Sequence, residues 1–244
     1  ETTAVDRDGG GASGGGTLAD TWEWNGSGWA TTTGVQSPPA RIRHAMAWDP
    51  TGQRIVMFGG RDPTSVFGDT WEWDGANWIQ ALPAQSPVAR SDHAMTYDAS
   101  RNKIVLFGGA EGVNRLSDTW EHDGVAWRTR AFTPQPYARG EHAMAYDSGR
   151  GRVVVFGGFD GTDRLQDTWE FDGTVWTQVF TSNAPAARFW QAMAYDSSRR
   201  RVVLFDTLIE QLERGEKLTV TDGVMWRSAS SPLSRTWTSS LVTG

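Results

Sequence analysis

An all-β fold, a propeller of five four-stranded antiparallel blades, is predicted by three features of this 244-residue chain. Four copies of one segment recur every 49 residues: RIRHAMAWD from Arg41, RSDHAMTYD from Arg90, RGEHAMAYD from Arg139 and RFWQAMAYD from Arg188. An apolar run follows each copy: IVMFGG, IVLFGG, VVVFGG and VVLFDT. A third segment keeps the same phase, as DTWEWDGANW from Asp69, DTWEHDGVAW from Asp118, DTWEFDGTVW from Asp167 and a worn KLTVTDGVMW from Lys217. Repeats of roughly 40 to 50 residues made of short strands stack into propellers or related arrays, because one repeat cannot bury its own apolar faces.

Each element has a local reason. AMAYD alternates large and small side chains, as a strand packed between two neighbours does. The VVLF-type run reads as a strand buried on both faces, closed by a Gly-Gly pair that permits positive φ. Asp-Gly at 74–75, 123–124, 172–173 and 222–223, with Asn25-Gly26 before them, marks a tight hairpin turn between Trp-rich strands. The Asp-x-x-Gly/Arg segments starting at Asp49, Asp98, Asp147 and Asp196 suit type I turns. One repeat is therefore a four-stranded meander.

Four such repeats begin at Arg41, Arg90, Arg139 and Arg188. The N-terminal part holds only the later half of one, DTWEWNGSGW from Asp20 to Trp29, and the C-terminal part only an opening, SPLSRTWTSSLVTG, with Arg235 in the recurrent Arg position. These fragments are complementary. Joined, they make a fifth blade that closes the ring and removes exposed edges. In phase, the second strand of that blade would fall near Val5–Gly9, where VDRDG and GGASGGG read as a flexible linker. Either TTAV at 2–5 supplies an edge strand, or the chain is a fragment of a six- or seven-bladed propeller. Residues 1–19 are thus read as a Gly-rich N-terminal segment and 20–244 as a single propeller domain.

A His-bearing strand, an apolar strand ending in Gly-Gly, an aromatic strand and a Trp three residues after the turn glycine, in that order, resemble the kelch repeat, in its bacterial type. The resemblance runs from about Asp20 to the C-terminus. It implies a β-propeller with these meanders as blades. It implies little about chemistry, because kelch-like propellers host both binding modules and unrelated enzymes.

Composition narrows the partners. Net charge is −6 with a pI near 5.2, which argues against nucleic acid and anionic membranes. There is no cysteine, so neither disulfides nor thiolate chemistry, and no transmembrane run, so no membrane insertion is expected. Glu1 fits the mature N-terminus left by signal-peptide removal, and a secreted or cell-envelope bacterial protein is the expectation, as a monomeric domain. Fourteen Trp stand against four Tyr, and most are periodic: Trp22, Trp71, Trp120 and Trp169 are equivalents, as are Trp29, Trp78, Trp127, Trp176 and Trp226. Periodic Trp reads as packing between blades rather than as a ligand platform.

The long loops of a meander share one face with the start of the innermost strand, so a ligand is expected at that mouth of the channel. Arg41, Arg90, Arg139, Arg188 and Arg235 open those strands. Their guanidinium groups either bind a carboxylate or sulfate, or pair with nearby groups such as the recurrent Asp and Glu of DTWE. His44, His93 and His142, with Gln191 and Thr238 in the equivalent places, evoke a zinc site but read better as framework residues, since adjacent inner strands splay around a channel, the kelch resemblance implies a routine His here, and Gln191 can replace the hydrogen bonding of a structural His. Between Arg and His the residues vary completely, and Arg43, Asp92, Glu141, Trp190 and Trp237 mix charge with aromatic surface at the mouth. The loops at 61–68, 110–117 and 159–166 vary too, and Asp160 with Asp163 hints at calcium. The fourth loop, TLIEQLERGEK, carries a capping-box pattern at Thr207 and Glu210 and a stop at Gly215, which predicts a two-turn helix.

The leading reading is a non-catalytic binding or scaffold propeller that engages a protein or glycan through this variable face, with no cofactor. One alternative is a metal-dependent kelch-type enzyme with a channel site at His93, Glu141 and His142. A copper site with a cysteine-modified tyrosine is excluded by the absence of Cys. Another alternative is a multivalent lectin with one site per blade.

Overall fold

The structure is a computed structural model that describes residues 12–13, 16–32, 34 and 36–205. The expected strand near Val5–Gly9, the helix from Thr207, the worn third segment at Lys217, and the ring-closing segment with Arg235, Trp237 and Thr238 all lie outside these residues.

The described residues form strands and turns with no helix. Two short strands, β1 (Ala12–Ser13) and β2 (Gly16–Thr17), pair with each other, and β3 (Thr21–Trp24) pairs with β4 (Trp29–Thr32) as the expected half-repeat. The first complete blade is β5 (Ala45–Asp49), β6 (Arg54–Phe58), β7 (Thr70–Trp73) and β8 (Trp78–Ala81), antiparallel in that order. In the second, β9 (Ala94–Asp98) and β10 (Lys103–Phe107) are followed by a loop hairpin of β11 (Ala110–Glu111) and β12 (Asn114–Arg115), then by β13 (Thr119–His122) and β14 (Trp127–Arg130). The third comprises β15 (Ala143–Asp147), β16 (Arg152–Phe156), β17 (Thr168–Phe171) and β18 (Trp176–Val179). A fourth opens with the pair β19 (Ala192–Asp196) and β20 (Arg201–Phe205). These are the blades of a β-propeller, and β5, β9, β15 and β19 lie side by side as the inner strands.

The period-2 pattern of each second strand explains why blades stack. Val56 and Phe58 face the next blade, where they meet Met95, Ile104, Leu106, Trp120 and Trp127. Ile55 and Met57 face the other way, against Trp71, Trp73 and Trp78. Val105 and Phe107 repeat this one blade on, against Met144, Val153, Val155, Trp169 and Trp176. A side chain of this size contributes about 1.5–3 kcal/mol when fully buried. The indole N–H of Trp127 donates to Thr70 Oγ1 at 3.0 Å, Trp176 to Thr119 at 3.0 Å and Trp78 to Thr21 at 2.9 Å. The third of these bonds seats the β3–β4 hairpin as the neighbour preceding the first blade. On that hairpin Trp22, Trp24 and Trp29 are 51%, 53% and 65% exposed, whereas their equivalents in the complete blades are buried.

The Asp-Gly turns are longer than a two-residue hairpin. Trp73 pairs with Trp78 across a four-residue loop, in which Asp74 Oδ1 accepts the N–H groups of Ala76 and Asn77 and Gly75 takes a φ of 94°. The Gly-Gly pairs are required by space as well as by φ. At Gly59 (φ 65°) a Cβ would lie 2.5 Å from the Arg90 carbonyl oxygen of the next blade.

A candidate binding site at the mouth

The second-to-third-strand loops and the links between blades lie on one face, where each inner strand begins. Arg41, Arg90 and Arg139 enter the inner strands there and are buried. Each forms a two-pronged pair with the Asp of the DTWE segment: Arg41 with Asp69 at 2.6 and 2.8 Å, Arg90 with Asp118 at 2.7 Å twice, Arg139 with Asp167 at 2.6 and 2.8 Å. Each also donates to the carbonyl of the first glycine of its Gly-Gly pair, at 2.8–3.0 Å. Burial pushes these carboxyls up, but the guanidinium bonds and charge outweigh it and hold Asp69, Asp118 and Asp167 below the usual carboxylate range. These arginines clamp their own blade. Arg188 donates its Nε–H to the Ala186 carbonyl at 2.9 Å.

Two residues further on, the variable positions share one backbone arrangement. Arg43, Asp92, Glu141 and Trp190 all adopt left-handed φ values, 58°, 61°, 62° and 61°. Their peptide groups form a belt across the blades: Asp92 N–H donates to Arg43 C=O at 3.0 Å, Glu141 to Asp92 at 2.8 Å, and Trp190 to Glu141 at 2.8 Å. The framework constraint at these positions acts on the backbone and leaves the side chains free to differ. Four unlike residues in sequence therefore stand in one conserved geometry of the fold.

Their side chains meet. Arg43 Nη1 contacts Asp92 Oδ1 at 3.1 Å, and its guanidinium lies 5.2 Å from the Trp190 ring centre. Ser91 Oγ donates to the other Asp92 oxygen at 2.6 Å. Trp190 touches Phe189 at 5.0 Å between centres, and Phe189 meets Phe159 at 5.7 Å. The loops add Arg115, which reaches Glu141 at 3.3 Å and lies over Phe159, and Arg164, which lies over Phe189. So the structure gathers Arg43, Asp92, Glu141 and Trp190 into one cluster, and brings in Phe159, Arg115 and Arg164, which sequence reading did not single out. Arg115 and Arg164 occupy equivalent places six residues after the Gly-Gly pair, a signal hidden by Val66 in the first blade. Arg61 begins the first of these loops, bridged to Ile42 next to Arg43, and its Nε–H is buried without an acceptor.

The histidines line the blade seams below the cluster. His93 and His142 are buried, and neither ring nitrogen of either residue makes a well-formed hydrogen bond. At the equivalent place Gln191 Nε2 donates to the Phe156 carbonyl of the preceding blade at 2.7 Å. Burial, aided by Arg139, pushes the His142 pKa down to about 3, and burial with Arg90 pushes His93 well below the usual range. Among the described residues no group of three His, Cys, Asp or Glu is placed to hold a metal ion. Asp160 Oδ1 instead accepts the N–H groups of Thr162 and Asp163 within its own turn.

Both faces carry ion pairs and exposed apolar residues, Val125 in an opposite-face turn being 82% exposed. On the mouth face Leu82, Val113, Tyr137 and Phe180 are 77–91% exposed. The opposite face is laced with ion pairs, among them Arg101 with Asp98, Lys103 with Glu121, and Arg150 with Asp147 and Glu170.

No curated protein matches the chain. A family model described as the KLHDC2/KLHL20/DRC7 Kelch-repeats domain matches residues 9–205. Kelch repeats generally mediate protein binding as a scaffold. With the repeat order, the blade topology and this match over most of its length, the chain belongs to the kelch-repeat family.

Proposed function

We propose that the chain is a protein-binding scaffold whose recognition surface is the loop face around Arg43, Asp92, Glu141 and Trp190. The observation that carries this reading is the backbone belt. It holds four positions in one conformation through peptide hydrogen bonds, so the side chains there can differ from blade to blade, and they pair into one charged and aromatic cluster. On the same face, exposed Leu82, Tyr137 and Phe180 supply apolar surface of the kind that protein partners bury. Charged groups at the centre add specificity rather than bulk affinity. The framework arginines contribute indirectly, by clamping the loops from which the cluster rises.

The test is a selection of random displayed peptides and small protein domains on the purified chain, with a glycan array run beside it. The reading predicts peptide or protein binders whose affinity falls at least tenfold on Tyr137→Ala, Phe180→Ala or Trp190→Gly. Binders that ignore all three substitutions, or saturable binding on the glycan array alone, would overturn it.

A further inference from the structure

Where their inner strands are described, the seams between blades share the same backbone bonds and differ in their imidazoles. The first-to-second seam holds two. His93 lies on its inner side, buried and T-shaped against Phe58 with ring centres 5.6 Å apart, and neither nitrogen makes a well-formed hydrogen bond, the Phe58 carbonyl being the backbone group that faces it. His122 lies on its outer side, buried and 4.8 Å from Trp127, where the repeat elsewhere places Trp24, Trp73 or Phe171. The second-to-third seam holds one, His142 against Phe107, with Phe171 at the outer place. The third-to-fourth seam has Gln191 at the inner place, already bonded to Phe156, and no histidine among the described residues.

We infer that mild acid opens this array seam by seam, first between the first and second blades, then between the second and third, and not between the third and fourth. An imidazole gains its proton only when it reaches water, so each buried ring couples protonation to separation of its seam. The charged surroundings favour this order. At His93 burial opposes a charge, aided by Arg90, His44 and His142, and together they outweigh the Phe58 carbonyl that favours one. His142 faces Arg139, with Asp167 as a partial counterweight. His122 faces Asp49, Glu72 and Asp123 as well as Arg54, yet burial still holds its pKa below the usual value. Its Nδ1 accepts the Gly124 N–H at 3.3 Å, a bond that protonation of Nδ1 removes. Folded-state values lie below the unfolded 6.5, so the stability is fully present above about pH 6.5 and is lost as pH falls toward the folded values.

The seams carry their own reporters. Across the first, Gly60 N–H donates to Arg90 C=O and Asp92 N–H to Arg43 C=O; across the second, Gly109 to Arg139 and Glu141 to Asp92; across the third, Gly158 to Arg188 and Trp190 to Glu141. Amide exchange at these six positions, measured by NMR between pH 7.5 and 5.0 and corrected for intrinsic rates, tests the inference. Each imidazole that stays neutral until its seam opens raises the opening constant about 30-fold over that range. The expected responses are more than 30-fold at Gly60 and Asp92, about 30-fold at Gly109 and Glu141, and none at Gly158 and Trp190. His93→Gln with His122→Phe, copying Gln191 and Phe171, should abolish the response at the first seam only. An equal response at all three seams overturns the inference, as does a first-seam response that survives both substitutions.

Discussion

Asp92 is tied to Arg43 twice: its N–H donates to the Arg43 carbonyl at 3.0 Å, and its carboxylate accepts the Arg43 guanidinium at 3.1 Å. The backbone half of this link recurs between every pair of described neighbouring blades, and the side-chain half does not. Backbone uniformity and side-chain variety are thereby separated within single residues. The peptide groups repeat from blade to blade, while the side chains differ: Asp92 pairs with Arg43 and Glu141 with Arg115.

Substitution by glycine at these positions should therefore spare the fold. A non-glycine residue at left-handed φ costs roughly 1–3 kcal/mol, which glycine does not incur. Trp190→Gly is expected to leave the thermal midpoint within a few degrees of the parent, with the lost ring contacts offset by relief of strain. Trp190→Ile, β-branched at the same φ of 61°, should lower it clearly. Calorimetry of the two variants decides.

The buried arginines should behave in the opposite way. Arg139→Ala leaves the half-buried Asp167 without its partner and is expected to cost about 1–3 kcal/mol. Arg139→Lys should recover only part of this, because an ammonium cannot make the two-pronged contact to Asp167. Denaturant unfolding of both variants checks the order.

Glycine is needed at the strand end for two reasons and at the hairpin loop for one. A Cβ on Gly59 would meet the Arg90 carbonyl at 2.5 Å, while at Gly75 it would meet nothing within 4 Å. Gly59→Ala should destabilise by more than about 2 kcal/mol through steric overlap added to φ strain, and Gly75→Ala by about 1 kcal/mol through φ alone.

A second acid transition should follow the histidine one. Asp69, Asp118 and Asp167 have folded pKa values below 3.8, so their contribution is present above that value and is lost as pH falls through the folded ones. Unfolding titrations should show an upper limb between about pH 6.5 and 4.5 that vanishes when His93, His122 and His142 are replaced. The limb below about pH 4 should remain.

Much of this architecture was legible in the sequence because its constraints repeat. The 49-residue phase fixed strand order, the Gly-Gly ends and the Arg that opens each inner strand. The pairing of Arg41, Arg90 and Arg139 with the DTWE aspartates was one of two readings open from spacing, and geometry supplies it. The belt was illegible. Positive φ at Arg43, Asp92, Glu141 and Trp190 leaves no glycine signature, so the shared backbone arrangement behind the variable residues could not be read. The Asp-Gly pairs read as tight hairpin turns, and their length was not legible. The Asp74 side chain caps a four-residue loop. Arg115 and Arg164 join the cluster through aromatic faces of the following blade, a contact between blades that no local pattern encodes.

The most direct test of the central claim is an amide-exchange footprint of the chain with and without a selected protein binder. Protection confined to the mouth face, at 61–67, 82–92, 110–116, 131–141 and 180–190, is the predicted result. Protection at the opposite turns around Asp74, Asp123 and Asp172, with the mouth unchanged, would contradict it.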